Sequence, residues 1–178
     1  MPNCLSIEAQ RLQLVPLNFE SNCSGSQQGI EKRMSLELAG MILNGQVDGE
    51  MKQAMRTSLE NIIRDKKHDQ WFIDWQSVLI ILKKRNEIIG GFCFQRHPDE
   101  NAAVQVGYMI NAEYQGNGYM TEALQRGVLW IFERPDIKSV LAETSKSNIA
   151  SQRVLQKAGM TAYAETPQKI WWILRKAD

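Results

Sequence analysis

Three apolar segments rich in β-branched and aromatic residues, Val78–Leu82, Ile88–Phe94 and Ala103–Ile110, are separated only by the polar stretches Lys83–Glu87 and Arg96–Asn101. Connections this short join antiparallel neighbours, so the three segments read as a β-meander. Straight after it come Gly116 and Gly118, and then an apolar stripe through Met120, Leu124, Val128 and Ile131 at helical spacing. An antiparallel meander that runs through a glycine turn into a helix N-terminus admits few architectures. Gly107, inside the third segment, predicts a bulge or a close backbone approach there.

The remaining elements are built around that centre. Arg11–Leu17 alternates polar and apolar residues as a strand with one buried face, and Asn18–Gly29 is a polar loop. Helical periodicity spans Ile30 to about Leu43 and Gly49 to about Lys67, the latter with Met51, Met55, Leu59, Ile62 and Ile63 on one face. Pro135 ends the helix after the glycine turn. Val140–Thr144 reads as a strand and Ser147–Ala158 as a helix with Gly159 as its C-terminal cap, and Thr161–Ala164 and Lys169–Arg175 read as a closing strand pair. Trp171 and Trp172 must lie on opposite faces of the last strand. The 178 residues thus form one α+β domain of about seven strands and about four helices, with no internal repeat or linker.

Consecutive N–H groups in a glycine turn that opens a helix can cradle an anion, and the helix dipole adds partial positive charge there. Gly116 and Gly118 permit positive φ and a close ligand approach, and the Thr121 hydroxyl is available to the same oxygens. A diphosphate is one guest for such a turn, and the alternative is an ordinary tight turn into a helix. The Gly-Lys-Ser/Thr of a Walker loop is absent, and no GxGxxG follows a first strand as a dinucleotide fold requires.

Composition narrows the chemistry further. With 21 basic and 20 acidic residues the chain has no broad field to attract nucleic acid or an anionic membrane. No basic segment followed by an apolar run opens it, and the apolar run Val78–Leu82 is far too short to span a bilayer, so a cytoplasmic location is expected. Cys4, Cys23 and Cys93 are scattered, and His68 and His97 have no second ligand or nucleophile nearby in sequence. Metal catalysis and a serine–histidine triad are therefore not expected.

The run Tyr114-Gln115-Gly116-Asn117-Gly118-Tyr119-Met120-Thr121 resembles the pyrophosphate motif of the GNAT acetyltransferases, Gln/Arg-x-x-Gly-x-Gly/Ala at a helix start. Gln115 and Gly118 match it, and Met120 stands where the family has a small residue. About 30 residues on, Asn148-Ile149-Ala150-Ser151 and Val154-Leu155-Gln156-Lys157-Ala158-Gly159-Met160 resemble the signature of a GNAT branch that includes the acetyltransferases acting on ribosomal-protein N-termini. Arg11–Leu17 resembles the first strand of that branch.

The resemblance implies a single GNAT-type domain over residues 1–178, with a mixed, mostly antiparallel sheet. Acceptor-side helices would occupy about 30–67 and an acetyl-CoA-binding core about 103–160. It implies acetyl-CoA as co-substrate, no metal, and a primary amine as acceptor: a peptide or protein N-terminus, or a small amine such as an antibiotic or polyamine. By the same resemblance Val104–Ile110 bulges and splays from the next strand to admit the pantetheine arm, with the N–H groups of Met109 and Ile110 polarising the acetyl carbonyl.

Ser151 and Asn148 would share a face of the next helix. Ser151 is assigned to the departing thiolate and Asn148 to the pantetheine amides, unless Ser147 or Asn148 simply caps the helix. Lys157 either reaches a phosphate or complements the helix C-terminus. Many relatives carry a glutamate base just before Gly-Tyr, where this chain has Gln105. Glu143 is the substitute, and its alternative is a plain surface carboxylate. A non-catalytic acyl-CoA-binding module is the competing reading. Trp71, Phe72, Trp75 and the 96–101 turn either line the acceptor groove or pack in the core. Monomer and homodimer both remain open.

Overall fold

The computed structural model describes residues 6–16, 78–95 and 102–177. The strands are β1 (Ile7–Glu8), β2 (Leu12–Pro16), β3 (Val78–Leu82), β4 (Glu87–Gln95), β5 (Ala103–Ile110), β6 (Ser139–Ser145), β7 (Thr161–Glu165) and β8 (Lys169–Arg175). Helix α1 (Tyr119–Ile131) follows β5, and α2 (Ile149–Lys157) follows β6. The strands make one sheet in the order β1-β2-β3-β4-β5-β6-β8-β7. The predicted helices over 30–67, Trp71, Phe72, Trp75 and the 96–101 turn lie outside the described residues.

Every β3 residue is apolar, and all but Ile81 are buried, which fits a strand covered on both faces. Helix α1 buries one stripe, Met120, Ala123, Leu124, Gly127, Val128 and Ile131, because these residues recur at helical spacing. Leu12, Leu14, Ile80, Ile89, Leu124, Ile131 and Leu155 are wholly buried in the core, each contributing about 1.5–3 kcal/mol. Trp172 is buried, and its Nε1–H donates to Thr144 Oγ1 at 2.9 Å, whereas Trp171 on the other face is half-buried. Gly159 caps α2 with φ 90°.

Every strand pair is antiparallel except β5–β6, and that pair is short: Ala103, Val104 and Gln105 lie opposite Ser139, Val140 and Leu141. Beyond Gln105 the strands part. From Val106 onward β5 stays with β4, while β6 follows β8 as far as Ser145. The gap between them is the splay, and it arises without a bulge in β5. Register with β4 is unbroken from Gly90↔Ile110 to Gln95↔Gln105, so the bulge predicted at Gly107 is absent. The register shift in this region falls instead on the β3–β4 pairing, between Ile80 and Ile81. A close approach does exist, but at Gly90: a Cβ there would meet the Met109 carbonyl oxygen at 2.5 Å. The β4–β5 ladder is thus tight where the β5–β6 ladder is missing.

Candidate active site

The site forms where the splay meets the helix N-termini. Gly118 is the N-cap of α1, with φ 77°, and no side chain caps that helix. The left-handed backbone costs an L-residue roughly 1–2 kcal/mol, which explains glycine here, and Gly116 has φ 76° in the same turn. The first intrahelical bond runs from Glu122 N to Gly118 O at 3.1 Å. The N–H groups of Tyr119, Met120 and Thr121 therefore precede the helix ladder and stand as donors at its positive end. Asn117 stiffens the turn by donating Nδ2–H to Tyr114 O at 3.2 Å and Gln115 O at 3.0 Å. Gln115 reaches back to Ile110 O at 3.4 Å. Met120 is buried in the core, so only its backbone faces the turn.

Sequence reasoning missed Arg11 as a part of this site. Its guanidinium stands 4.6 Å from the centre of the Tyr119 ring, its Nε–H donates to Glu122 Oε2 at 2.7 Å, and Nη1–H donates to Asn117 O at 3.0 Å. The Arg11 backbone N–H also donates to Glu122 Oε1 at 2.6 Å. One residue at the start of β2 thus pins both the glycine turn and the first turn of α1. A signal did exist in the cluster Gly118-Tyr119-x-x-Glu122, an aromatic and a carboxylate beside an anion turn, but nothing local names the cation that fills it.

Along the splay, Asn111 donates its N–H to Ile89 O at 2.9 Å. In an antiparallel ladder the direction of the polar groups alternates, so Gly107 and Met109 also face β4, while the N–H groups of Val106, Tyr108 and Ile110 face the gap. Of the two residues expected to polarise the carbonyl, Ile110 turns its N–H to the gap. Met109 is committed to β4, and Tyr108 takes its place in the gap.

Across the gap, the Tyr108 hydroxyl and Ser151 Oγ lie 2.7 Å apart, and Tyr108 also donates toward Ser151 O at 3.2 Å. Burial pushes the Tyr108 phenol above its ordinary value, and the Ser151 hydrogen bond pulls it part of the way back. Asn148 is the N-cap of α2: its Oδ1 accepts from Ser151 N at 3.0 Å. The capping alternative therefore holds for Asn148, while its Nδ2 donors make no bond within the described residues.

Glu143 lies one strand away, on the face of β6 that alternates with buried Ala142 and Thr144. That face is opposite the one shared by Tyr108 and Ser151. Lys169 Nζ holds the Glu143 carboxylate at 2.5 Å. Lys157 is exposed in the last turn of α2, where its charge complements the helix C-terminus, and Gln125 of α1 donates to its carbonyl at 2.8 Å. Among the described residues, no group of three or more His, Cys, Asp or Glu side chains could hold a metal, and no helix is long and apolar enough to cross a membrane.

Residues 43–161, well over half of the chain, match the model of the acetyltransferase (GNAT) domain. The uncharacterized N-acetyltransferase YjdG of Bacillus subtilis is 27% identical over 172 residues, covering 94% of this chain and 96% of that protein. A GNAT-family acetyltransferase from Bacillus anthracis superposes with a TM-score of 0.62 at 18% identity, over 96% of this chain and 98% of the other. RimL, a ribosomal L7/L12 alpha-N-protein acetyltransferase solved with coenzyme A, gives 0.62 at 17% identity over 96% and 98%. The splayed strands, the glycine turn and the family match agree: this chain belongs to the GNAT family of acetyltransferases, enzymes that transfer an acetyl group.

Proposed function

We propose that the chain uses acetyl-CoA to acetylate a primary amine, and that the amine is the N-terminus of a peptide or protein. The observation that carries this reading is the conjunction of an uncapped helix N-terminus at Gly118 with an unpaired strand edge at Tyr108 and Ile110. The first fits a diphosphate and the second fits the amides of an extended arm, in the order that coenzyme A carries them. The acceptor class is supported by the resemblance of Asn148–Met160 to the branch that modifies ribosomal-protein N-termini, and RimL is a fold neighbour with such a substrate.

Aminolysis of a thioester needs a polarised carbonyl, a neutral amine and a proton for the leaving sulfur. The N–H groups of Ile110 and Tyr108 polarise the carbonyl from the open edge of β5. As the amine nitrogen bonds to the acyl carbon, the C–S electrons pass to sulfur and Ser151 supplies the proton. Gly116 to Thr121 hold the diphosphate, Arg11 fixes the turn that does so, and the Asn148 Nδ2 donors meet the pantetheine amides. Lys157 lies at the far end of α2 from Ser151, and its role is to complement that helix end. Glu143 takes the amine proton through water at the opposite mouth of the splay. Its carboxylate is already engaged by Lys169, and that ion pair favours a second reading, an acyl-CoA-binding module without turnover.

The test is release of free thiol from acetyl-CoA in the presence of peptides that differ at their first residue, with N-blocked copies as controls. Turnover with free α-amines and none with blocked ones is expected. Turnover confined to polyamines or aminoglycosides would replace the acceptor class, and binding of acetyl-CoA without turnover on any amine would favour the second reading.

A further inference from the structure

We propose that Tyr108 is a positioning residue, whose phenol hydroxyl holds the Ser151 hydroxyl so that its proton points at the sulfur of the departing thiol; this rests on the role given to Ser151 above. The two oxygens are 2.7 Å apart, and either could be the donor as the protein stands. Tyr108 sits on β5 past the last residue paired with β6, and Ser151 sits in the first turn of α2. Their bond is a side-chain link across the splay, made where the sulfur of an arm lying in that gap would pass.

A serine hydroxyl alone rotates among its staggered positions and offers its proton in any of them. The tyrosine ring is fixed in a strand, and its oxygen touches both Ser151 Oγ and Ser151 O, so it selects one Oγ geometry. Burial of the phenol favours its neutral form, which keeps a proton to donate. With the single phenol proton shared between the Ser151 carbonyl oxygen and the nearer Oγ, Ser151's own hydrogen is left for the sulfur. In the transfer step the C–S bond breaks with its electron pair on sulfur, and the Ser151 proton moves to that sulfur. The Ser151 oxygen regains a proton from water, and the proton that the amine nitrogen sheds through water to Glu143 returns from there to solvent, so the protons balance. Tyr108 keeps its proton throughout.

The test compares affinities for CoA and desulfo-CoA by calorimetry on the full chain at about pH 9.5, where a thiol is largely ionised. Four proteins are measured: wild type, S151A, Y108F and the double variant. Wild type should prefer CoA by roughly tenfold, the scale of a hydrogen bond to a charged acceptor. S151A should abolish the preference, Y108F should cut it by about threefold or more, and Y108F should change nothing further in the S151A background. Desulfo-CoA affinity reports on the fold without the sulfur contact, and it should be equal in all four.

A Y108F protein that keeps the full preference overturns the proposal and leaves the proposed function standing. So does a loss of equal size with and without Ser151. Equal binding of the two ligands by the wild type removes Ser151 from the sulfur, and this inference with it. Failure of the wild type to bind either ligand overturns the proposed function itself.

Discussion

In the proposed mechanism Ser151 and Arg11 act through different parts of the ligand, and their substitutions should separate accordingly. Ser151→Ala removes a proton donor that matters only as the C–S bond breaks, so kcat should fall about 10²-fold with the KM for acetyl-CoA within about threefold. Steady-state kinetics on a reactive peptide checks this. Arg11→Ala unpins the glycine turn and leaves the sulfur end alone, so KM should rise with little change in kcat. The ion pair is partly exposed, with side chains 43% and 16% accessible, and with the stacked ring its loss should cost about 1–2 kcal/mol of stability. Arg11→Lys should recover only part of either effect, because an ammonium cannot reproduce the fork. Tyr108 predicts a pH effect. Its folded pKa is raised above the ordinary 10.0, so the stability it supports is full below that value and is lost as pH rises through the folded pKa. Alkaline melts should show wild type losing stability above about pH 10 that Tyr108→Phe retains.

Elements were legible where a short-range pattern wrote them. The β3–β4–β5 meander, α2 and the β7–β8 pair fall within a residue or two of the sequence reading, because period-2 and period-3.6 patterns are local, whereas α1 ends at Ile131, short of the stop expected at Pro135. Strand β1 was not foreseen: Ile7–Glu8 is too short to show a period, and pairing with Leu14 and Gln13 makes it a strand. The gap was misread in its cause. Gly107 carried the expectation of a bulge, whereas the splay comes from the β5–β6 pairing ending at Gln105 and Leu141 while each strand keeps its other neighbour, a long-range pairing that no local sequence records. Arg11 was missed for the same reason, since it meets Glu122 across 111 residues. The β6–β8 pairing has its own test. Thr144→Val is close in shape but leaves the buried Trp172 Nε1–H unpaired, and should destabilise by about 1–3 kcal/mol in chemical denaturation.

Over the whole molecule, one architectural decision generates the site. Among the described residues the sheet has a single parallel contact, three residues long, and opens on one side of it, and the helices that follow β5 and β6 bring their N-termini to that opening. The glycine turn, the free strand edge and the Tyr108–Ser151 pair then lie in the sequence a diphosphate, an extended arm and a thioester would need. If this account is right, ligand binding must stabilise the fold, and thermal unfolding with acetyl-CoA, CoA or ATP tests it most directly. At about 100 times its dissociation constant a ligand adds about 2.7 kcal/mol, a rise of roughly 5–10 °C for a chain of this size. Comparable rises with acetyl-CoA and CoA, and little with ATP, are the predicted result. No rise with either CoA species at saturating concentration would contradict the account, and would reduce the glycine turn to a turn.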